Sequence, residues 1–228
     1  MRADRGFRAA WGFYRQNFRS VFVLSLLFYL AIVALAVLSV VELGVLLAVF
    51  TITYLIAVSI FWLQAPLARL MDDVRAGRSN PGARRTLVGL GPRLGSITGG
   101  TFVGAFGVAA GWYLFVAPGV YLLARWALLI PVIVIEGKGA FRAFGRSNRL
   151  VRGHTWRVVL ELLGSFVLLI VIWSIAISLL LIGSWVGVGA ALLFLVLATP
   201  PIPLMRVLSY YDLREIAPPE QVAGPTTL

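Results

Sequence analysis

The residues best suited to chemistry in this sequence are arginines, and three of them share one side of a predicted helix. Arg142, Arg146 and Arg149 fall within about 60° of one another when residues 136–157 are drawn as an α-helix. A guanidinium group presents a planar fork of N–H donors that matches the oxygens of a phosphate. The spacing therefore predicts a ridge for anionic headgroups, although an ordinary basic helix beside a membrane would show the same pattern.

A fourth arginine, Arg125, lies near the middle of a long apolar run. An arginine at the centre of a membrane span costs about 2.5–3.5 kcal/mol, so it is expected to face the protein interior and to have a partner. Glu161 is the first candidate partner by depth, and Glu136 is the second. Such a pair would be either a structural ion pair or part of a site for an anionic headgroup or polar substrate. We also expect Arg157 among the anion-binding residues and Asp212 among the ion-pair partners.

Catalytic signatures are missing from the chain. It contains no cysteine, one histidine and one lysine, which excludes thiol nucleophiles and any site that needs two imidazoles. No zinc-protease, serine-hydrolase or phosphate-loop motif is found, and acidic and imidazole side chains do not cluster at metal-ligand spacing. We therefore expect a protein that is not an enzyme and that binds no metal and no cofactor.

The composition is that of a membrane protein. Hydrophobic residues make up 60% of the chain and charged residues 13%, against about 25% charged residues in soluble domains. The mean hydropathy is +0.94, and apolar runs of about 18 residues or more recur, as membrane spans require. The formal net charge of +11 is interpreted as a topology signal and not as a nucleic-acid interface.

Six apolar runs predict an all-α, polytopic bundle of six transmembrane helices arranged as three hairpins. The predicted spans lie at about 20–41, 45–63, 94–117, 119–135, 158–182 and 185–204. The breaks between paired spans are Glu42-Leu43-Gly44, Pro118-Gly119 and Gly183-Ser184. A basic amphipathic interfacial helix is expected before each hairpin, in 1–19, 64–93 and 136–157. Residues 1–215 would form one membrane domain, and 216–228 a disordered cytoplasmic tail.

This topology places every basic residue except Arg125 on one side of the membrane. Arginine and lysine concentrate in cytoplasmic segments, so both termini are expected in the cytoplasm. Arginine is used almost exclusively over lysine, which indicates a bacterial source with a GC-rich genome. The predicted location is therefore the bacterial inner membrane.

The third predicted span carries four glycines on one face: Gly100, Gly104, Gly107 and Gly111. A continuous face of small residues lets another helix approach closely. Packing within one chain is favoured over dimerisation, because six spans need internal interfaces. In the fourth span, Pro131 lacks an N–H group and is expected to produce a kink.

A resemblance to a known family rests on residues in the second half of the chain. They are Pro118-Gly119-Val120-Tyr121, Arg125, Pro131, Glu136-Gly137, Ala143, Arg146-Ser147, Leu150, Gly153, Trp156-Arg157 and Tyr210-Tyr211-Asp212-Leu213-Arg214. This pattern resembles a bacterial six-span family that includes the membrane domain accompanying glycerophosphoryl diester phosphodiesterases and the YciC-like inner-membrane proteins. The resemblance implies a fold and a location but no reaction. The phosphodiesterase domain is not expected in this chain, and one histidine cannot supply its chemistry.

Three hypotheses on function follow. The first is a non-enzymatic membrane protein that binds lipid, or an anionic lipid-linked intermediate, at the cytoplasmic leaflet in membrane assembly or homeostasis. The second is a small transporter or flippase with a site near Arg125. The third is an intramembrane lipid enzyme. The expected partners are anionic membrane lipids and not nucleic acid, while a partner protein or a homo-oligomer is left open.

Overall fold

The chain folds into α-helices connected by short turns. The structure is a computed structural model, and it describes residues 3–78, 82–114, 116–181, 183 and 185–217. Side chains of 3–7, 36–37, 39–61 and 109–118 lie outside that description. The helices in chain order are α1 (Ala3–Gln16), α2 (Phe18–Arg75), α3 (Ala83–Val88), α4 (Leu94–Leu114), α5 (Val116–Arg125), α6 (Leu129–Glu136), α7 (Ala140–Val151), α8 (Thr155–Leu180), α9 (Trp185–Ala198) and α10 (Pro201–Ile216).

The predicted all-α class is confirmed, because the described residues contain helices and no strand. Four stretches with described side chains are long and apolar enough to cross a membrane: Phe18–Leu35, Gly119–Glu136, Thr155–Leu180 and Trp185–Ile216. Large apolar side chains stay exposed along α8, among them Leu160, Phe166 and Val171. Exposed apolar faces of this extent mark contact with lipid, so the chain is a multi-pass membrane protein.

Helical structure is assigned continuously from Phe18 to Arg75, through Glu42-Leu43-Gly44, where the sequence predicts a break between two spans. One glycine inside a helix costs only about 1 kcal/mol, so this tripeptide does not compel a helix to end. Tyr29 and Leu63 nevertheless line one small cavity. A straight helix would separate them by about 51 Å, so α2 reverses its direction between these residues.

The predicted surface helix within 64–93 is also corrected. Its first residues continue α2, and Leu67, Leu70 and Met71 are almost completely buried. Their apolar face packs against protein, since this end of α2 joins the same core as α6 and α10. Amphipathic periodicity identified the apolar face correctly, but periodicity cannot distinguish a lipid neighbour from a protein neighbour.

The glycine face of α4 receives α6 and the residues just before it. An added Cβ atom at Gly100 would lie 3.1 Å from Cδ1 of Ile133, and one at Gly104 would lie 3.7 Å from Cδ2 of Leu129. As the residue number rises along α4 from Gly100 to Gly104, the contacted residue number falls along α6 from Ile133 to Leu129, so the two helices are antiparallel. Gly111 lies in the part of α4 where side-chain surroundings are not described.

Helix α7 packs beside α4. Ala140 lies against Gly100 and Phe144 against Gly104, so α7 and α4 run in the same direction. The sharp turn between α6 and α7 uses Gly137, whose φ of +68° is favourable for glycine alone among common residues. The predicted lipid-seated face of α7 is therefore wrong for its buried residues, such as Ala143 and Val151, which belong to the protein core.

The C-terminal helix α10 follows the last predicted span, which was expected to end at about 204, and is a central element of the structure. Pro201 and Pro203 lie in its first turn, where a missing N–H group costs nothing, so the proline run starts a helix. Its residues 209–212 each bond to another helix: Ser209 to Glu161, Tyr210 to Glu136, Tyr211 to Asp72 and Asp212 to Arg157. These partners lie on three helices, α2, α6 and α8, so α10 is held from several sides. Residues 218–228 of the predicted disordered tail lie outside the described residues.

Helix α1 is docked on α10. Tyr14 is buried, while Trp11 and Phe18 on either side of it in the aromatic stripe are exposed. Rings with exposed edges beside exposed arginines such as Arg15 are typical of a helix at a membrane interface.

Replacing Gly107 with alanine should destabilise the α4–α6 contact. The added methyl group would lie 2.6 Å from Cζ3 of Trp126, which is closer than carbon atoms pack. Overpacking of this kind costs about 1–3 kcal/mol. We expect a lower thermal unfolding midpoint for Gly107→Ala in detergent. Gly99→Ala is the matched control on the same helix, because nothing lies within 4 Å of its added Cβ. Equal midpoints for the two variants would contradict this contact.

Candidate functional site

Arg125 lies at the end of helix α5 and inside the stretch Gly119–Glu136, which is apolar enough to cross a membrane. Helix α5 ends there, and α6 begins at Leu129 after a short turn. Pro131 causes this break, because it lacks the N–H group that would bond to the carbonyl of Ala127. The Oγ of Ser147 donates to the carbonyl of Arg125 at 2.8 Å, which satisfies an acceptor at the end of α5.

The guanidinium group of Arg125 is held entirely by neutral groups. Its Nη1 donates to Oδ1 of Asn148 at 2.5 Å and to the Asn148 carbonyl at 3.3 Å. Its Nη2 donates to the hydroxyl of Tyr121, and the guanidinium carbon lies 4.8 Å from the centre of the Tyr121 ring. These contacts fix the orientation of Arg125 and leave its positive charge uncompensated.

Arg125 forms part of an open groove between α5 and the end of α7. The groove has a volume of about 450 Å³ and is lined by Tyr121, Leu122, Arg125, Trp126, Asn148, Arg149 and Arg152. Three of these residues are arginines, and none of the described lining residues is acidic. The aromatic wall is supported from behind, since Phe144 packs edge-on against Trp126 with ring centres 4.9 Å apart. The groove therefore combines a concentrated positive charge with an apolar wall.

Four consecutive residues of α7 build one side of this groove. Arg146 points into the core, Ser147 bonds the end of α5, Asn148 orients Arg125, and Arg149 faces the groove. Successive residues rotate by about 100° around a helix, so one face is anchored while the next faces the groove. The Arg-Ser pair of the family pattern is thus a positioning element.

The predicted ridge is corrected at Arg146, which is 1% exposed. Its Nε donates to both carboxylate oxygens of Glu136, at 3.0 and 3.1 Å. Lys138 lies 2.8 Å from the same carboxylate, and the hydroxyl of Tyr210 donates to it at 3.0 Å. The helical wheel grouped Arg146 correctly with its neighbours, but Glu136 draws this one side chain inward. Arg142 is exposed and does not line the groove.

The predicted pair of Arg125 with Glu161 is wrong. Glu161 accepts a hydrogen bond from Ser209 at 2.6 Å and lies 3.5 Å from Nε of Arg157. Arg157 also donates to Asp212 at 3.2 Å, so it is a bridge between two carboxylates and not a free headgroup ligand. Ranking partners by depth failed because Arg125 and Glu161 face different neighbours.

Sequence reasoning missed Arg152, Asn148 and Tyr121. The first carried a usable signal, because Arg152 is three residues after Arg149 and such pairs share a helix face. The other two carry none, since their role depends on how the break after Arg125 brings α5 against α7. Groups of three or more potential metal ligands are not found among the described residues.

Comparison with known proteins agrees with the resemblance noted from the sequence. Residues 101–210 match the family model described as the membrane domain of glycerophosphoryl diester phosphodiesterase. The matched region contains the complete groove, Glu136 and Tyr210. No curated protein and no solved structure matches the chain. The family description names a membrane domain, and it transfers no catalytic residue to this chain.

Removing the Glu136 carboxylate should destabilise the protein strongly. Glu136→Gln leaves Arg146 buried without a counter-charge, which costs about 3–5 kcal/mol. We expect a large fall in the thermal unfolding midpoint, and partial recovery when Arg146→Met is added, because an apolar side chain needs no partner there. Glu215→Gln is the control, since Glu215 is exposed on α10.

If Glu136→Gln does not fold, Tyr210→Phe tests the same cluster at a smaller cost of about 1 kcal/mol. A Glu136→Gln protein as stable as the control, or a double variant no more stable than Glu136→Gln alone, would contradict the central role of this pair.

Proposed function

We propose that this protein is a non-enzymatic integral membrane protein that binds an anionic lipid headgroup in the groove of Arg125, Arg149 and Arg152. One observation carries the proposal: Arg125 is held in place by neutral acceptors beside two further arginines. Arginines matched to phosphate geometry and left without a carboxylate form an anion site. A role in membrane assembly or homeostasis fits such a site.

The surroundings of the groove favour a lipid over a soluble anion. Arg152 is the first residue after α7, in the turn that leads into α8. The second residue of α8, Trp156, is 72% exposed, and the helix continues with exposed apolar side chains. Tryptophan is enriched where a helix meets the membrane interface. Tyr121, Leu122 and Trp126 give the groove an apolar side, along which acyl chains would lie.

The proposal includes six spans with both termini on the cytoplasmic side of a bacterial inner membrane. The reversal of α2 between Tyr29 and Leu63 supports the first hairpin. The four stretches that can cross a membrane come from the described residues alone. The two predicted spans that are not among the four, 45–63 and 94–117, fall largely or partly in regions whose side chains are not described. Positive-inside bias supports the orientation.

The acidic groups support a role without catalysis. Glu136 and Asp212 belong to two separate ion-pair clusters, and among the described contacts neither cluster includes His154. A lipid hydrolase needs an acid, a base and an electrophile that converge on one cavity.

A small flippase is the second candidate, because the groove reaches Arg125 from an open side. A lipid-flipping assay distinguishes the two functions, with the purified protein reconstituted in vesicles that carry a fluorescent anionic lipid. Dithionite quenching that reaches the inner leaflet faster than in protein-free vesicles, and that slows with Arg125→Gln, would favour the flippase.

The six-span topology can be tested with single cysteines, because the chain contains none of its own. Arg142→Cys should react with a membrane-impermeant maleimide only from the cytoplasmic side, and Trp185→Cys only from the opposite side. Glu42→Cys should behave like Trp185→Cys if the first hairpin is correct. Labelling of Glu42→Cys from the cytoplasmic side would reject that hairpin.

Loss of Arg125 should reduce lipid retention. Charge-assisted hydrogen bonds contribute about 1.5–3 kcal/mol, so Arg125→Gln should lower the retained anionic lipid at least about tenfold. Native mass spectrometry of gently purified protein measures this directly. Arg142→Gln is the matched control, because it removes one exposed arginine from α7 outside the groove. Equal retention by both variants would reject the site.

A further inference from the structure

The arginines of the groove differ from three paired arginines elsewhere in the charge of their partners. Arg146 bonds Glu136, Arg157 bridges Glu161 and Asp212, and Arg78 pairs with Asp73 at 2.9 Å. In the groove, by contrast, described carboxylates pair with none of the three arginines. The groove therefore holds three positive charges that the fold itself does not neutralise.

The groove also offers nothing to a positively charged headgroup. An ammonium group needs a carboxylate or free carbonyl oxygens, and the described lining residues include no carboxylate. The Asn148 carbonyl, its side-chain oxygen and the Tyr121 hydroxyl already accept from Arg125. A zwitterionic headgroup would therefore bring its ammonium next to arginines, which is unfavourable.

The three arginines of the groove project from two different walls. Arg125 projects from the end of α5, while Arg149 and Arg152 lie at the end of α7, three residues apart on one side. The volume of about 450 Å³ lies within the range of small-molecule sites, so it accommodates more than a single phosphate group. Two walls of guanidinium groups match either a phosphate dianion between them or two phosphate groups side by side.

We infer that the groove selects lipid headgroups with two or more negative charges on phosphate, such as a phosphomonoester or a diphosphate, over singly charged phosphodiesters. This inference rests on the proposed lipid binding and names its substrate class. Each arginine has a separate role: Arg125 is the fixed contact for any phosphate, and Arg149 with Arg152 discriminate by charge. Removing the second pair should therefore reduce selectivity more than binding.

The test is competition for the purified protein by short-chain lipids, read by native mass spectrometry. Phosphatidic acid, phosphatidylglycerol and phosphatidylethanolamine supply headgroups of charge near minus two, minus one and zero. The wild type should favour phosphatidic acid over phosphatidylglycerol at least about tenfold, since one more charge-assisted contact is made. Arg149→Gln with Arg152→Gln should bring that ratio close to one while phosphatidylglycerol is still retained. Arg142→Gln should leave the ratio unchanged.

The outcomes separate the two claims. Equal affinity of the wild type for phosphatidic acid and phosphatidylglycerol, with both lost in Arg125→Gln, overturns the charge selection and leaves lipid binding intact. No retention of any anionic lipid overturns the proposed function as well. A further arm uses inorganic pyrophosphate. Displacement of phosphatidic acid by pyrophosphate at equal concentration would assign the groove to a soluble anion.

Discussion

The other features of the site depend on the hydrogen bonds and ion pairs of the Glu136 carboxylate. Glu136 is the last residue of α6, an eight-residue helix that is too short to be stable alone. Its carboxylate binds Lys138 of the following turn, Arg146 of α7 and Tyr210 of α10. Positive groups at a helix C-terminus are favourable because of the helix dipole. The bifurcated hydrogen bond from Nε of Arg146 to the Glu136 carboxylate fixes the rotation of α7 about its axis. That rotation presents Asn148 and Arg149 to the end of α5.

Helix α10 completes the arrangement because it bonds to three other helices at one level. A charged or hydroxyl group near lipid cannot rely on water, so each needs a partner within the protein. Residues 209–212 supply such partners to Glu161, Glu136, Asp72 and Arg157. The segment is polar in composition, which resembles a tail in sequence. Its polarity reflects pairing inside the bundle and not exposure to water.

The sequence predicted the helical class, the membrane location and the segments that carry the site, because apolar length and arginine placement depend on composition. It failed where the answer depends on which neighbour a face meets. Leu67 and Val151 pack on protein where lipid was expected. Arg146, which was expected on the ridge, is paired in the core, and Arg125, which was expected to have an acidic partner, is held by neutral groups beside an open groove. Partner choice is a tertiary property, and residue spacing along one helix does not contain it.

Arg146 and Arg125 differ in the kind of acceptor that holds the guanidinium group. Burial does not decide whether the charge of an arginine is neutralised, and neither does depth in a predicted span. The deciding quantity is the charge of the acceptor: a carboxylate neutralises the guanidinium and uses its fork, whereas an amide or a phenol orients it and leaves the charge in place. Orientation by Asn148 and Tyr121 lowers the entropy lost when an anion binds. Arg125 is oriented in this way and keeps its charge, which is why an anionic ligand is the group proposed for it.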